Sequence, residues 1–274
     1  MKLFCTFLIA ALLVGCSTVR LAYDNAETYL RWKSSDYFEV EGEMSDELDR
    51  ALGSFMAWHR AQALPKYVPL IEEGASRFAR GLSPADLDWG YDVVMTQARE
   101  SLRNAASRIA PLLDQLNAEQ IAQLERGLAE DNRKFARENL RGNEREQRKR
   151  RTQRNVERLE DWLGRLSQAQ VDRVAEYSER APLLDEMRDR DHRRLQGELL
   201  AIVRAKQAKN RLPDLAVGWE VGRDAAYAGA LVAARKEYFA MALDIDRSLS
   251  AKQRDRGLKH LHRYADDFRA LSRR

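Results

Sequence analysis

Leu116-Asn117-Ala118-Glu119-Gln120-Ile121-Ala122-Gln123-Leu124-Glu125-Arg126-Gly127-Leu128-Ala129-Glu130-Asp131-Asn132-Arg133-Lys134-Phe135 is the stretch on which the fold reading turns. Its apolar residues Ile121, Leu124, Leu128 and Phe135 recur at the spacing of one α-helical face. Asn117 stands where an N-cap accepts a backbone N–H, Gln120 stands three residues on to answer it, and Leu116 can staple to Ile121. Stripes of the same period run through Leu48, Leu52, Phe55 and His59, through Leu87, Val94, Ala98, Leu102 and Ile109, and through Val156, Leu159 and Leu163. Others join Val171, Val174 and Tyr177, then Leu195, Leu199 and Ile202, then Leu258, Leu261, Tyr264 and Phe268. Period-two alternation is essentially absent. The reading is all-α: an elongated multi-helix bundle with long helices, kinked or ended at Pro65, Pro69, Pro111, Pro182 and Pro213.

The helix start at Leu116 has three relatives. Leu82-Ser83-Pro84-Ala85-Asp86, Leu166-Ser167-Gln168-Ala169-Gln170 and Leu249-Ser250-Ala251-Lys252-Gln253 share its pattern, at intervals too irregular for a solenoid. Each reads as a capping box, with Leu166 able to staple to Val171 and Pro84 suited to the first helical position. The motif resembles the LTxxQ repeat of the Spy and CpxP family of periplasmic helical proteins, which includes an ATP-independent chaperone and a stress-signalling inhibitor. Thr is missing from every copy, and the first ends in Asp86. What the resemblance implies is a chaperone-like binding role.

The N-terminus reads as an export signal. Lys2 precedes an apolar stretch over residues 3–13, too short for a membrane span, and Leu13-Val14-Gly15-Cys16 closes it. The tetrapeptide resembles the lipobox of bacterial lipoproteins, which implies removal of residues 1–15 and acylation of Cys16. Ser17 lacks the Asp that, in sorted lipoproteins, signals inner-membrane retention, so the periplasmic face of the outer membrane is the expected location. Cys5 leaves with the signal, and Cys16 alone makes no intramolecular disulfide. Residues 16–20 are expected to form a lipidated end and very short tether, with helix starting near Leu21.

A broader resemblance is carried by Cys16-Ser17-Thr18-Val19-Arg20-Leu21-Ala22-Tyr23-Asp24-Asn25-Ala26, Asp36-Tyr37-Phe38, Trp58-His59-Arg60 and Leu64-Pro65-Lys66-Tyr67, with Leu159-Glu160-Asp161-Trp162-Leu163 and Tyr264-Ala265-Asp266-Asp267-Phe268-Arg269. Together they resemble a family of uncharacterised proteobacterial helical lipoproteins. That resemblance implies location and fold, not an activity.

Charge is concentrated in one place. The 274 residues carry a net +4, and residues 141–158 hold Arg141, Arg145, Arg148, Lys149, Arg150, Arg151, Arg154 and Arg158 against three acids. No aliphatic or aromatic side chain occurs from 141 to 155, so the segment reads as a basic connector, either an exposed helix or a disordered hinge. It divides an N-terminal helical part, 21–140, from a C-terminal one, 159–274. Continuous helix over 118–163 would run about 70 Å at 1.5 Å per residue. The strip would suit anionic lipid or polymer, or acidic unfolded clients. The export signal sets nucleic acid aside.

Chemistry-bearing motifs are sparse. There is no phosphate loop, dinucleotide turn, zincin motif or nucleophile elbow. His260 and His262, two apart on a helix, point away from each other and make no zinc pair; His262 and Asp266 fit a solvated salt-bridging face. His59, on its apolar stripe, reads as packed with one ring nitrogen satisfied. Trp219, beside Glu220, reads as core. The expectation is a non-enzymatic module with no cofactor or metal, held to the membrane by its lipid and binding envelope proteins or unfolded clients. The alternative is a structural adaptor for one dedicated envelope partner.

Overall fold

The computed structural model describes residues 16–273, with side chains from Val19 onward. The expected signal peptide, residues 1–15, therefore lies outside the described residues. The chain is all-α, with no strand among the described residues. Helix α1, Cys16–Asp24, begins at Cys16 rather than near Leu21, because Val19 is buried and the Arg20 guanidinium reaches the buried Asp267 carboxylate at 2.5 Å. Asn25 separates it from α2, Ala26–Ser34. Helix α3, Gly42–Trp58, passes through a π turn, His59–Ala63, into α4, Leu64–Ala79. Pro65 explains the widened turn: it has no N–H to give Ala61, and its ring crowds that carbonyl.

Helix α5, Pro84–Leu113, is followed by α6, Ala118–Phe135, and a second π turn, Ala136–Leu140. Gly142, at φ +83°, then turns the chain, and Asn143 caps α7, Glu144–Leu163. The stretch 118–163 is thus two helices, not one continuous rod, because Asn143 Oδ1 accepts the Glu146 N–H at 3.0 Å and starts a new helix. Then come α8, Gln168–Arg180, α9, Asp185–Arg204, α10, Ala208–Val217, α11, Ala225–Arg247, and α12, Ala251–Leu271.

All four Leu-led starts form reciprocal capping boxes, at Ser83/Asp86, Asn117/Gln120, Ser167/Gln170 and Ser250/Gln253. Leu116 and Ile121 join one apolar cluster, and Leu166 and Val171 another, as a hydrophobic staple requires. The Leu249 copy differs, since the residue at the staple position is Arg254, which reaches Asp246 at 2.8 Å.

Helices from both sides of residues 141–158 interleave. Helix α12 packs along α4, α10 along α5, and α9 against α6, while α7 and α8 form a pair that α11 covers. Gly257 lets α12 approach α4, for a Cβ there would lie 2.7 Å from Phe78 Cε1. The largest apolar cluster lies between α3, α5, α6, α9 and α10, around Leu48, Leu112, Leu124 and Val203. No helix among the described residues is long and apolar enough to cross a membrane.

Candidate functional site

The five helices of that cluster do not close completely. With α2 they enclose a partly open cavity of about 300 Å³. Leu102 and Ile109 on α5, Leu124 and Leu128 on α6, and Leu199 and Leu212 across from them make its walls aliphatic. Its volume lies at the lower edge of ligand pockets, about 300–1,000 Å³.

The polar groups of the cavity gather toward the C-terminal end of α6. Tyr37 Oη donates to Asp131 Oδ2 at 2.6 Å, and Asn132 Nδ2 donates to Gln196 Oε1 at 2.7 Å. His192 sits edge-on to Phe135, with centroids 5.8 Å apart. Burial, and then the Asp131 carboxylate, push the Tyr37 phenol well above its usual range, so it remains a neutral donor. Four residues join Leu113 to the start of α6, so Leu113, and Leu124 two turns before Asp131, are apolar lining positions away from these polar groups.

A second polar cluster ties helices together. His59 is buried in the first π turn, with Nδ1 3.0 Å from Tyr23 Oη and Nε2 3.3 Å from Tyr67 Oη, which in turn lies 3.0 Å from Ser101 Oγ. Both ring nitrogens are engaged, not one, because the π turn sets the imidazole between α1 and α4. Burial pushes its pKa down to about 4, and burial also raises the Tyr23 phenol to about 12. The imidazole is therefore neutral at pH 7, giving one hydrogen bond and accepting another.

The basic segment is helical from Glu144, and its cations are divided in role. Arg148 Nη1 donates to the carbonyls of Ser178 at 3.0 Å and Glu179 at 2.6 Å. Arg151 reaches Ala181 and Pro182, each at 2.8 Å, and also Ser178. These two guanidiniums satisfy the carbonyl end of α8 and oppose the negative pole of its dipole. Arg150 turns back to the Arg141 carbonyl at 2.5 Å. Arg141, Arg145, Lys149, Arg154 and Arg158 are exposed. At 3.6 residues per turn, Arg145 and Lys149 face roughly opposite to Arg154 and Arg158, so the exposed cations make no single stripe.

The remaining singled-out residues sit apart from the cavity. Trp219 is half-buried in the turn after α10 rather than in the core, with the Arg99 guanidinium 5.1 Å from its ring centroid and bonded to Glu220 at 2.6 Å. His260 packs against Trp162, centroids 5.4 Å apart; Asp266 pairs with Arg269 at 2.6 Å, while His262 is exposed. No group of three or more His, Cys, Asp or Glu among the described residues is arranged to hold a metal ion.

Sequence reasoning placed Leu48, Leu52, Leu102, Leu124, Leu128, Leu195 and Leu199 on helix faces, but not Leu113, Leu212 or Leu215, and did not single out Asp131, Asn132, His192 or Gln196. A usable signal was present: Asn132 follows Leu128 by four and precedes Phe135 by three, a polar residue in core register. A family profile, DUF6279, described as a family of unknown function, matches residues 36–220. The chain belongs to this family. The DUF6279 span runs through α3 to α10 and holds every cavity-lining residue except Leu30 and Ser34. Cys16, α11 and α12 lie outside it. Neither a curated protein nor a solved structure matches the chain.

Proposed function

We propose that this DUF6279 chain is a lipid-anchored binding module of the bacterial cell envelope, acting by holding an apolar ligand rather than by catalysis. The observation that carries the reading is the aliphatic cavity of about 300 Å³ with polar groups at one end only. Such a chamber shelters apolar surface from water, which is the largest favourable term in binding an apolar molecule. In this reading residues 1–15 are removed, Cys16 is acylated, and the body lies close to the periplasmic face of the outer membrane. Two or more acyl signals on one residue give stable anchoring.

Two measurements test it. Soluble residues 17–274 should bind an environment-sensitive naphthylamine dye at one site, with blue-shifted emission, and Ala106→Phe, which fills the cavity, should abolish that site; no saturable binding would remove the reading. In cells, Cys16→Ala should leave the precursor unlipidated and misplaced, and a substituted protein still fractionating with outer membranes would remove the anchor.

A second reading, a chaperone-like holder of unfolded clients or an adaptor for one envelope partner, is favoured by exposed apolar residues on α5 and α11: Tyr91, Val94, Val232 and Tyr238. Suppression of aggregation of two unrelated clients without ATP would support the holder, and one stoichiometric crosslinked partner the adaptor.

A further inference from the structure

Helix α1 leaves Cys16 no slack. It begins at that residue, Val19 is buried and Arg20 is bound to Asp267 on α12, so the body is clamped almost at Cys16 itself. A membrane group attached there brings the nearest protein surface down onto the bilayer.

That surface is the outer side of α1 and α2. Backbone hydrogen bonds bridge the joint between them, from the Asn25 N–H to the Leu21 carbonyl at 3.1 Å and from the Tyr29 N–H to the Asn25 carbonyl at 3.0 Å, so the two helices stay nearly in phase. At about 100° per residue, Asn25, Thr28 and Trp32 fall within about 40° of Leu21 around the axis, whereas the buried Val19, Ala26 and Leu30 fall about 140–180° away. All four outward residues are exposed, Leu21 and Trp32 each at 62%, and the Tyr29 ring leans on Trp32 with centroids 5.8 Å apart.

In a chain with 33% charged residues an outward helix face is where charge belongs, yet this stripe carries none. The cations on its flanks are engaged: Arg20 with Asp267, Arg31 with Asp49 and Lys33 with Asp36. Leucine and aromatic rings among uncharged polar residues suit the level of lipid headgroups, where a tryptophan keeps its apolar body toward hydrocarbon and its N–H in the polar layer.

We propose that the Leu21–Trp32 face of α1 and α2 rests in the headgroup layer of the phospholipid leaflet that holds the Cys16 acyl group, laying both helices along the membrane. The proposal rests on the lipid anchor of the reading above and adds the surface that touches the bilayer and the orientation of the body. Leu30 and Ser34, on the inner side of α2, line the cavity, which therefore stands one helix diameter, about 10 Å, from the headgroups.

The test uses the full-length protein, purified after processing and reconstituted in phosphatidylethanolamine–phosphatidylglycerol vesicles whose acyl chains carry bromine near the headgroup. Bromine should quench Trp32 emission, and Trp32→Phe, which leaves Trp58, Trp89, Trp162 and Trp219 in place, should lose that quenching. Because the face is uncharged, the quenching should be equal at low and high salt and in vesicles without phosphatidylglycerol. Leu21→Asp should weaken it while circular dichroism stays unchanged; should that variant fail to fold, Thr28→Asp replaces it. Emission indifferent to bromine, or quenching that Trp32→Phe retains, would overturn the proposal. So would quenching abolished by salt, which would assign the contact to the exposed cations of residues 141–158. A Trp32 shielded from acrylamide in detergent yet untouched by bromine would place a protein surface on this face and overturn it as well. Mass spectrometry of the mature N-terminus reports the anchor separately: an acylated chain with Trp32 unquenched overturns the proposal and leaves the anchor standing, whereas a chain neither acylated nor recovered with vesicles overturns both.

Discussion

Gln170 and Gln253, the third residues of α8 and α12, face each other in the interior: Gln253 Nε2 donates to Gln170 Oε1 at 2.9 Å, and Gln170 Nε2 lies 3.3 Å from Gln253 Oε1. Each also closes its own capping box, at Ser167 and Ser250, so two helix starts 83 residues apart form one buried polar node. Gln170 further reaches Ser248 Oγ at 3.1 Å, and Gln253 the Arg165 carbonyl at 3.1 Å.

Removing either amide strands the other in the interior. Gln170→Ala and Gln253→Ala should each destabilise the fold by about 1–3 kcal/mol, and the double variant by clearly less than the sum. Urea unfolding midpoints of the four proteins check this. Strict additivity would mean that the two caps act independently.

His59 makes stability depend on pH. Its folded pKa, about 4, lies below the usual 6.5, so between these values the unfolded chain binds a proton that the folded one does not. The contribution is fully present above pH 6.5 and is lost as pH falls toward 4, up to about 3 kcal/mol for this one group. His59→Phe should flatten the melting temperature against pH across that window, whatever it does to the baseline. An imidazole titrating near 6.5 by NMR would contradict it.

The basic segment should separate into two classes by denaturation alone. Arg148→Ala or Arg151→Ala uncovers carbonyls at the end of α8 and should cost about 1.5–3 kcal/mol. Lys149→Ala and Arg154→Ala, both at exposed positions, should stay within about 0.5 kcal/mol. Uniform small effects would show that α8 ends without help from α7.

Two helical glycines should respond with opposite sign. A Cβ on Gly127 would lie 2.5 Å from the Asp36 carbonyl oxygen, a backbone atom that cannot swing aside, whereas one on Gly229 would meet nothing within 4 Å. Gly127→Ala should therefore destabilise by about 1–3 kcal/mol despite its better helix propensity. Gly229→Ala should stabilise by about 0.5–1 kcal/mol. Thermal melts of the pair decide it.

The helix class and the four Leu-led helix starts were legible because both are local: Asn117 and Gln120 are three residues apart, and Leu124 and Leu128 one turn apart; the Asn143/Glu146 box, without a leading Leu and set in a run of charge, was not read. Helix α11 left no stripe, since Ala, Leu and Val surround it on all sides and no polar face sets a phase. The basic run was visible as charge, but not that Arg148 and Arg151 end on carbonyls about thirty residues onward. Nor was the cavity, because it is the space left over when six helices meet, and periodicity reports which residues face inward without reporting how far apart the facing walls stand.

The pairing of α12 with α4 bears on how the chain is made. Buried Leu271 belongs to the apolar cluster of Leu64 and Tyr67, so the face of α4 lacks its cover until residues 251–271 exist. Ala79 and Ala251 are 172 residues apart, an interval of roughly 10–30 s at about 5–20 residues per second. Throughout that interval Leu64 and Tyr67 are a sticky flank in search of a mate. The nascent protein thus has a built-in waiting period, in which a protective escort matters most and after which its last helix does the escort's work.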